Sequence, residues 1–199
     1  NKQIMATFKQ KALRFLYPFT RIAAKIGKNG TVLNNESKTA PTVPFYEQKA
    51  TLNNGKPIDF SAYSGKKVLI VNTASNCGYT GQYAELQKLH EKLGDKLAII
   101  AFPANDFMEQ EKSNDNEISQ FCKVNYGVSF PIAKKGVVIK NEEQQPLYKW
   151  LTDSKANGWN NHQPDWNFSK YVIDEKGNLT NYFGPSISPL DDEFLEAVE

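Results

Sequence analysis

Two rhythms of apolar spacing run through the chain. Val68-Leu69-Ile70-Val71 and Leu97-Ala98-Ile99-Ile100-Ala101 are short unbroken apolar runs ended by turn residues, the pattern of strands buried on both faces. Between them Tyr83, Leu86, Leu89 and Leu93 recur at spacings of three, three and four, which predicts a helix over residues 81–93. Strand, helix and strand at this spacing imply a right-handed parallel crossover. Further on, the pattern predicts a helix over 116–124, a short strand over 137–139, and a helix over 146–151 with Pro146 in its first turn. Tyr171-Val172-Ile173 and Leu179–Phe183 flank Glu175-Lys176-Gly177-Asn178, a second hairpin, and Leu190, Phe194, Leu195 and Val198 mark a closing helix. Upstream, Phe45–Leu52 and Ile58–Phe60 flank Asn53-Asn54-Gly55, a strong hairpin signal. The class is α/β, with a mixed sheet between helices.

The first 26 residues follow a different rule. Ile4, Phe8, Ala12, Phe15, Leu16, Phe19, Ile22, Ala23 and Ile26 recur at helical spacing, while Arg14, Arg21 and Lys28 occupy another face. Pro18 is expected to kink or restart this helix. Residues 1–30 hold seven basic residues and no acid, whereas the remainder holds 17 basic and 22 acidic residues. The chain thus divides into a basic amphipathic arm (1–26), a linker rich in Gly, Asn, Thr and Pro (27–44), and a mildly acidic domain (45–199). Basic residues interrupt every apolar stretch of the arm well short of the roughly 20 residues a membrane span needs.

Composition narrows the chemistry. At 199 residues and 40% hydrophobic content, one domain with a substantial core is expected. Two cysteines give neither a disulfide framework nor a Cys-x-x-Cys pair. His90 and His162 have no metal-ligand spacing and read as structural or surface residues. No Gly-rich phosphate loop and no aromatic-interleaved basic patch points to nucleotides or nucleic acid. No cofactor and no metal are expected. What remains is Cys77, where the strand of Lys67–Thr73 hands over to a helix. Orphan backbone N–H groups and the helix dipole favour a thiolate there, below the value of about 8.5 for a free thiol. Alone, Cys77 reads equally well as a small buried hydrophobe at the end of a strand.

Three ordered blocks change that balance. Asn72-Thr73-Ala74-Ser75-Asn76-Cys77-Gly78-Tyr79-Thr80 resembles the nucleophile segment of the glutathione peroxidase family, Asn-x-Ala-Ser-x-Cys-Gly-x-Thr. Phe102-Pro103-Ala104-Asn105-Asp106-Phe107-Met108-Glu109-Gln110-Glu111 resembles its Phe-Pro-x-Asn-x-Phe-x-x-Gln-Glu, and Trp166-Asn167-Phe168-Ser169-Lys170 its Trp-Asn-Phe-x-Lys. The resemblance spans about residues 43–198. It implies a thioredoxin-like fold, here with an N-terminal β-hairpin and the extra helical arm, and an antioxidant peroxidase that answers oxidative stress. It assigns Cys77 as nucleophile, replacing the selenocysteine of some animal members, with Gln110, Trp166 and Asn167 completing a tetrad. Side-chain chemistry agrees. The amides of Gln110 and Asn167 and the Trp166 indole are neutral donors, suited to hold a thiolate and the oxygen leaving it.

Hydrogen peroxide and organic hydroperoxides are the implied substrates, and thioredoxin or glutathione the reductant. Cys122 stands one position before the family's usual resolving site, where Lys123 falls. Ile118 and Phe121 beside it equally suggest a core face, so resolving and structural roles both stay open. Tyr182 replaces an arginine common in relatives, which favours thioredoxin over anionic glutathione. Ala104, Asp106 and Lys112-Ser113 also depart from the common pattern without removing a tetrad donor. The insertion that supports tetramers in some animal members is missing, so a monomer or weak dimer is expected. A second reading makes the chain a membrane-surface redox sensor or adaptor that relays Cys77 oxidation to a partner protein, the arm being its anchor. A disulfide reductase is disfavoured, since Cys77 has no partner three residues away. The expected location is the cytoplasm, peripheral to a membrane if the arm binds one, with the periplasm left open.

Overall fold

The computed structural model describes residues 5–26, 30–111 and 113–199, with side chains except over 20–26. Ile4, Lys28 and Lys112 lie outside the described residues, and so do the arm side chains from Arg21 to Ile26.

Strand β4 (Lys67–Thr73) is an interior strand, preceded in the chain by β1 (Val32–Asn34), β2 (Ala50–Thr51) and β3 (Pro57–Ile58). Helix α2 (Gln82–Leu93) carries the chain to β5 (Leu97–Pro103), which pairs with β4 in parallel from Lys67↔Leu97 to Thr73↔Pro103. Helices α3 (Asp115–Tyr126), α4 (Pro146–Leu151) and α5 (Ser154–Asn157) follow, then β6 (Lys170–Ile173), β7 (Leu179–Phe183) and α6 (Asp192–Val198). The five-stranded sheet has the order β1-β7-β6-β4-β5, antiparallel apart from β4–β5.

Alternation along β4 divides the core. Leu69 and Val71 face Leu86 and Leu89 of α2 and Ile118 and Phe121 of α3, with Phe194 of α6 on the same side. Val68 and Ile70 face Phe45, Phe60, Leu147 and Leu151. A strand covered on both sides needs apolar residues at every position, which explains its unbroken run. Helix α3 starts at a capping box, Asn114 with Glu117, and stops at Gly127 in the left-handed conformation.

The departures from the sequence reading are local. Residues 27–44, read as a linker, contain β1, which pairs Val32↔Phe183 and Asn34↔Asn181. Of the first hairpin only β2 and β3 are strand, because Pro44 leads Phe45–Glu47 into a 3₁₀ turn. Residues 137–139 make one isolated bridge, Val137↔Gln144, instead of a strand. Leu190 precedes α6. Helix α1 (Phe8–Ile26) runs through Pro18, which neither ends nor restarts it.

The arm is held by its less apolar side. Tyr17 is 7% exposed, and its hydroxyl donates to Glu85 Oε2 at 2.7 Å. Arg14 donates to the Asn125 carbonyl at 2.9 Å and lies over the Tyr126 ring, while Asn125 Oδ1 accepts from the Ala6 N–H at 3.1 Å. Tyr17 presses on the start of α2, where a Cβ at Gly81 would fall 2.4 Å from the tyrosine ring.

Candidate active site

The loop after β4 is built around Cys77. Thr80 Oγ1 accepts from the Cys77 N–H at 3.1 Å and lies 2.8 Å from the Cys77 carbonyl and 2.9 Å from that of Ala74. The loop is thereby folded back on itself. On its inner side Ser75 donates to Glu111 Oε2 through its N–H (2.8 Å) and its hydroxyl (2.6 Å). The Asn76 N–H donates to the Gln110 carbonyl at 3.1 Å, tying the first block to the second.

Strained turns shape the second and third blocks. Met108 and Glu109 are both left-handed (φ 50° and 51°), and so is Phe168 (φ 70°). Such backbone is uncommon outside glycine and concentrates at functional sites. These turns present Gln110 and Asn167, whose side chains meet: Asn167 Nδ2 donates to Gln110 Oε1 at 3.0 Å. The Tyr79 N–H donates to Cys77 Sγ at 3.4 Å, and the Trp166 and Asn167 side chains and the Gly78 N–H lie close enough to favour its thiolate. Gln110 joins the group through Asn167. Because its Oε1 accepts, its NH2 is left to donate.

Three supports fix the Trp166 loop. Asn72 Nδ2 donates to the Trp166 carbonyl at 2.9 Å, and the Phe168 N–H donates to the Asn72 carbonyl at 2.6 Å. Lys170 is fully buried, and its ammonium reaches the Phe168 and Ile187 carbonyls at 2.8 and 2.7 Å. Tyr182 is also buried, its hydroxyl within 3.0 Å of both Asp165 Oδ2 and Ser169 Oγ. It is an interior brace, so the position differs from a surface arginine in more than charge.

Electrostatics correct one expectation. Cys77 is fully buried, and desolvation pushes its thiol above the ordinary range against the pull of the Tyr79, Trp166, Asn167 and Gly78 donors. Helix α2 begins only at Gln82, five residues beyond Cys77, and burial outweighs the groups that favour the thiolate. The same cause acts harder on Cys122. It is buried on α3 beside Tyr83, and its thiol is pushed up to about 12, mainly by desolvation.

The sequence reading gives Glu111 no role, although the residue belongs to the second block. The available signal was an acid placed between a strand end and a helix cap. Buried on all sides, its carboxyl is pushed up to about 7, with Ser75 and Lys135 opposing. A folded pKa above the unfolded value of 4.5 gives stability that is complete below pH 4.5 and lost as pH rises through about 7. The loss is on the order of 3 kcal/mol. Glu111→Gln should flatten this limb, so that urea midpoints at about pH 5 and about pH 8 lie closer together than in the wild type. An unchanged gap would show that Glu111 titrates elsewhere.

The glutathione peroxidase family model matches residues 45–152, the first two blocks included. The chain belongs to the glutathione peroxidase family. A glutathione peroxidase homolog of Halalkalibacterium halodurans is 45% identical over 147 residues, 73% of this chain and 92% of that protein. A Saccharomyces cerevisiae glutathione peroxidase-like peroxiredoxin is 40% identical over 161 residues, 78% of this chain and 98% of that one. The crystal structure of T. cruzi GPX1 superposes with a TM-score of 0.59 at 28% identity, covering 78% and 96% of the two chains. A DsbF homologue from Corynebacterium diphtheriae reaches 0.60 at 16% identity over 84% and 91%, a likeness of the thioredoxin-like fold alone. This family member is therefore a peroxidase, an oxidoreductase whose family fits a response to oxidative stress. Trp166 and Asn167 lie beyond the residues the family model matches, so their place beside Cys77 rests on the site's geometry. Among the described residues no cluster of His, Cys, Asp or Glu could hold a metal, and no helix is long and apolar enough to cross a membrane.

Proposed function

We propose that Cys77 is the peroxidatic nucleophile and that Gln110, Trp166 and Asn167 hydrogen-bond the departing oxygen while it takes up the proton that the Cys77 thiol releases. The observation that carries this is the Asn167 side chain locked to Gln110 at 3.0 Å, with Asn167 and Trp166 beside one buried sulfur whose thiolate both favour. The Cys77 thiol gives up its proton, and Sγ attacks one oxygen of the hydroperoxide. The O–O bond breaks, and the other oxygen leaves as water or an alcohol after taking a proton. The products are Cys77 sulfenic acid and ROH. Neutral donors suit both ends of this step: they stabilise the thiolate first and the alkoxide or hydroxide afterwards.

The sulfenic acid must then be reduced. A dithiol of the thioredoxin type forms a mixed disulfide with Cys77, releasing water, and resolves it with its own second thiol. This route needs nothing from Cys122, whose burial against Tyr83 would have to be undone by opening α3 before it could reach Cys77. Peroxide consumption measured side by side should be faster with a thioredoxin system than with glutathione. Mass spectrometry after one equivalent of peroxide should show sulfenic acid on Cys77. A Cys77–Cys122 disulfide would instead establish an internal resolving step. Glutathione outpacing thioredoxin would overturn the choice of reductant.

The sensor reading shares Cys77 and draws on the basic arm. It forecasts a single round of oxidation that stalls until a specific partner arrives. Sustained turnover with thioredoxin would exclude it. A protein working alone through the tetrad is read as a monomer or weak dimer.

A further inference from the structure

Helix α1 is mounted with its most apolar side outward. Phe8, Phe15 and Phe19 are 89%, 74% and 61% exposed, and at spacings of seven and four they form one stripe. Tyr17 and Arg14, on the other side, make the contacts to α2 and α3. A hydrophobic stripe on a free arm would be expected to turn inward. Here the inward positions are taken by a tyrosine bonded to a carboxylate and an arginine over a ring, so the phenylalanines have no part of the described chain to cover them. Contiguous exposed apolar surface of this kind marks an interaction site.

Charge selects the occupant. Exposed Lys9 and Lys11 flank the stripe, and residues 1–30 hold seven basic residues and no acid. A second copy packed stripe to stripe would set these cations against each other. An apolar helix face bordered by lysines matches an anionic bilayer surface, with the rings in the acyl boundary and the ammonium groups among the headgroups. Position adds a consequence. Lys9 lines a cleft with Asn76, Met108, Glu109 and Gln110, and Met108 is itself 78% exposed. The arm therefore borders the Gln110 side of the site. We infer that the outer face of α1 seats on an anionic lipid surface and holds the Gln110 side of the Cys77 site beside it.

The binding half of this inference does not depend on turnover, so its failure is separable from that of the peroxidase reading. The full chain should co-sediment with phosphatidylcholine vesicles containing phosphatidylglycerol. It should bind pure phosphatidylcholine less, and it should release as salt rises. Each phenylalanine buried in lipid is worth about tenfold in partitioning. The triple change Phe8→Ser, Phe15→Ser, Phe19→Ser should therefore abolish co-sedimentation while hydrogen peroxide turnover in solution stays unchanged. Lack of wild-type binding at low salt would overturn the inference. So would a dimer in sedimentation equilibrium that the triple change dissolves, since the stripe would then belong to a second copy. The orientation has its own readout. A fluorophore on Met108→Cys in a Cys77→Ser background should be quenched by brominated lipid, and persistent binding without quenching would sink the placement of the site.

Discussion

Cys77→Ser should reduce peroxide consumption to the uncatalysed background, a loss of at least about 10³-fold in kcat/KM. The expectation follows from the site's construction. The Tyr79 N–H donates to the sulfur, the Trp166 and Asn167 side chains favour its thiolate, and the loop bearing it is pinned by Thr80 on one side and Glu111 on the other. A serine hydroxyl would fill the same space but is far harder to ionise and far less reactive toward an O–O bond. Folding should be little affected, because the substitution changes one buried atom and leaves the Thr80 and Glu111 contacts in place. An unshifted urea midpoint with lost activity would mark the effect as chemical. Activity retained above a few per cent would move the nucleophile elsewhere. The wild-type pH profile is a companion test. Since burial holds the thiol above its ordinary range, the rate with peroxide should climb as pH rises from neutrality toward the thiol's own pKa, not plateau below 7.

Asn167→Ala should have the second largest effect, a fall in kcat/KM of about 10²-fold. The residue is fully buried, donates to Gln110 Oε1, and helps to hold the Cys77 sulfur. Its removal takes a donor from the thiolate and frees Gln110 from its fixed pose. Both changes act on the same step. The sign for the thiol is fixed: losing a donor to the charged form raises the pKa further. Iodoacetamide alkylation as a function of pH should therefore show a midpoint shifted upward in the variant. A slower enzyme with an unmoved alkylation midpoint would leave Asn167 only its contact with Gln110.

The parallel crossover was legible because β4 and β5 are apolar throughout and α2 repeats at three and four. The three blocks were legible as residue types in order, and the fold brings their polar members to one place. What could not be read is geometric. The left-handed backbone at Met108, Glu109 and Phe168 leaves no trace in composition, since none is glycine. The direction of the Cys77 shift depends on how deeply the loop is buried, while sequence shows only that a helix comes next. Strand β1 is three residues long with a polar partner pair, Asn34↔Asn181, too short for alternation to register. The arm's periodicity revealed an amphipathic helix but not which side would meet the body, because a tyrosine that finds a carboxylate outcompetes a phenylalanine that finds nothing.

Strand β1 also decides how the arm can be studied. Val32–Asn34 covers the backbone of β7, which would otherwise be the free margin of the sheet. Uncovered strands of this kind recruit other chains. A deletion ending before Thr31 would take away the arm alone, whereas one reaching Val43 would also bare β7 along Asn181–Phe183. The two shortened proteins should differ in solubility before they differ in catalysis, and clumping by the second would say nothing about α1.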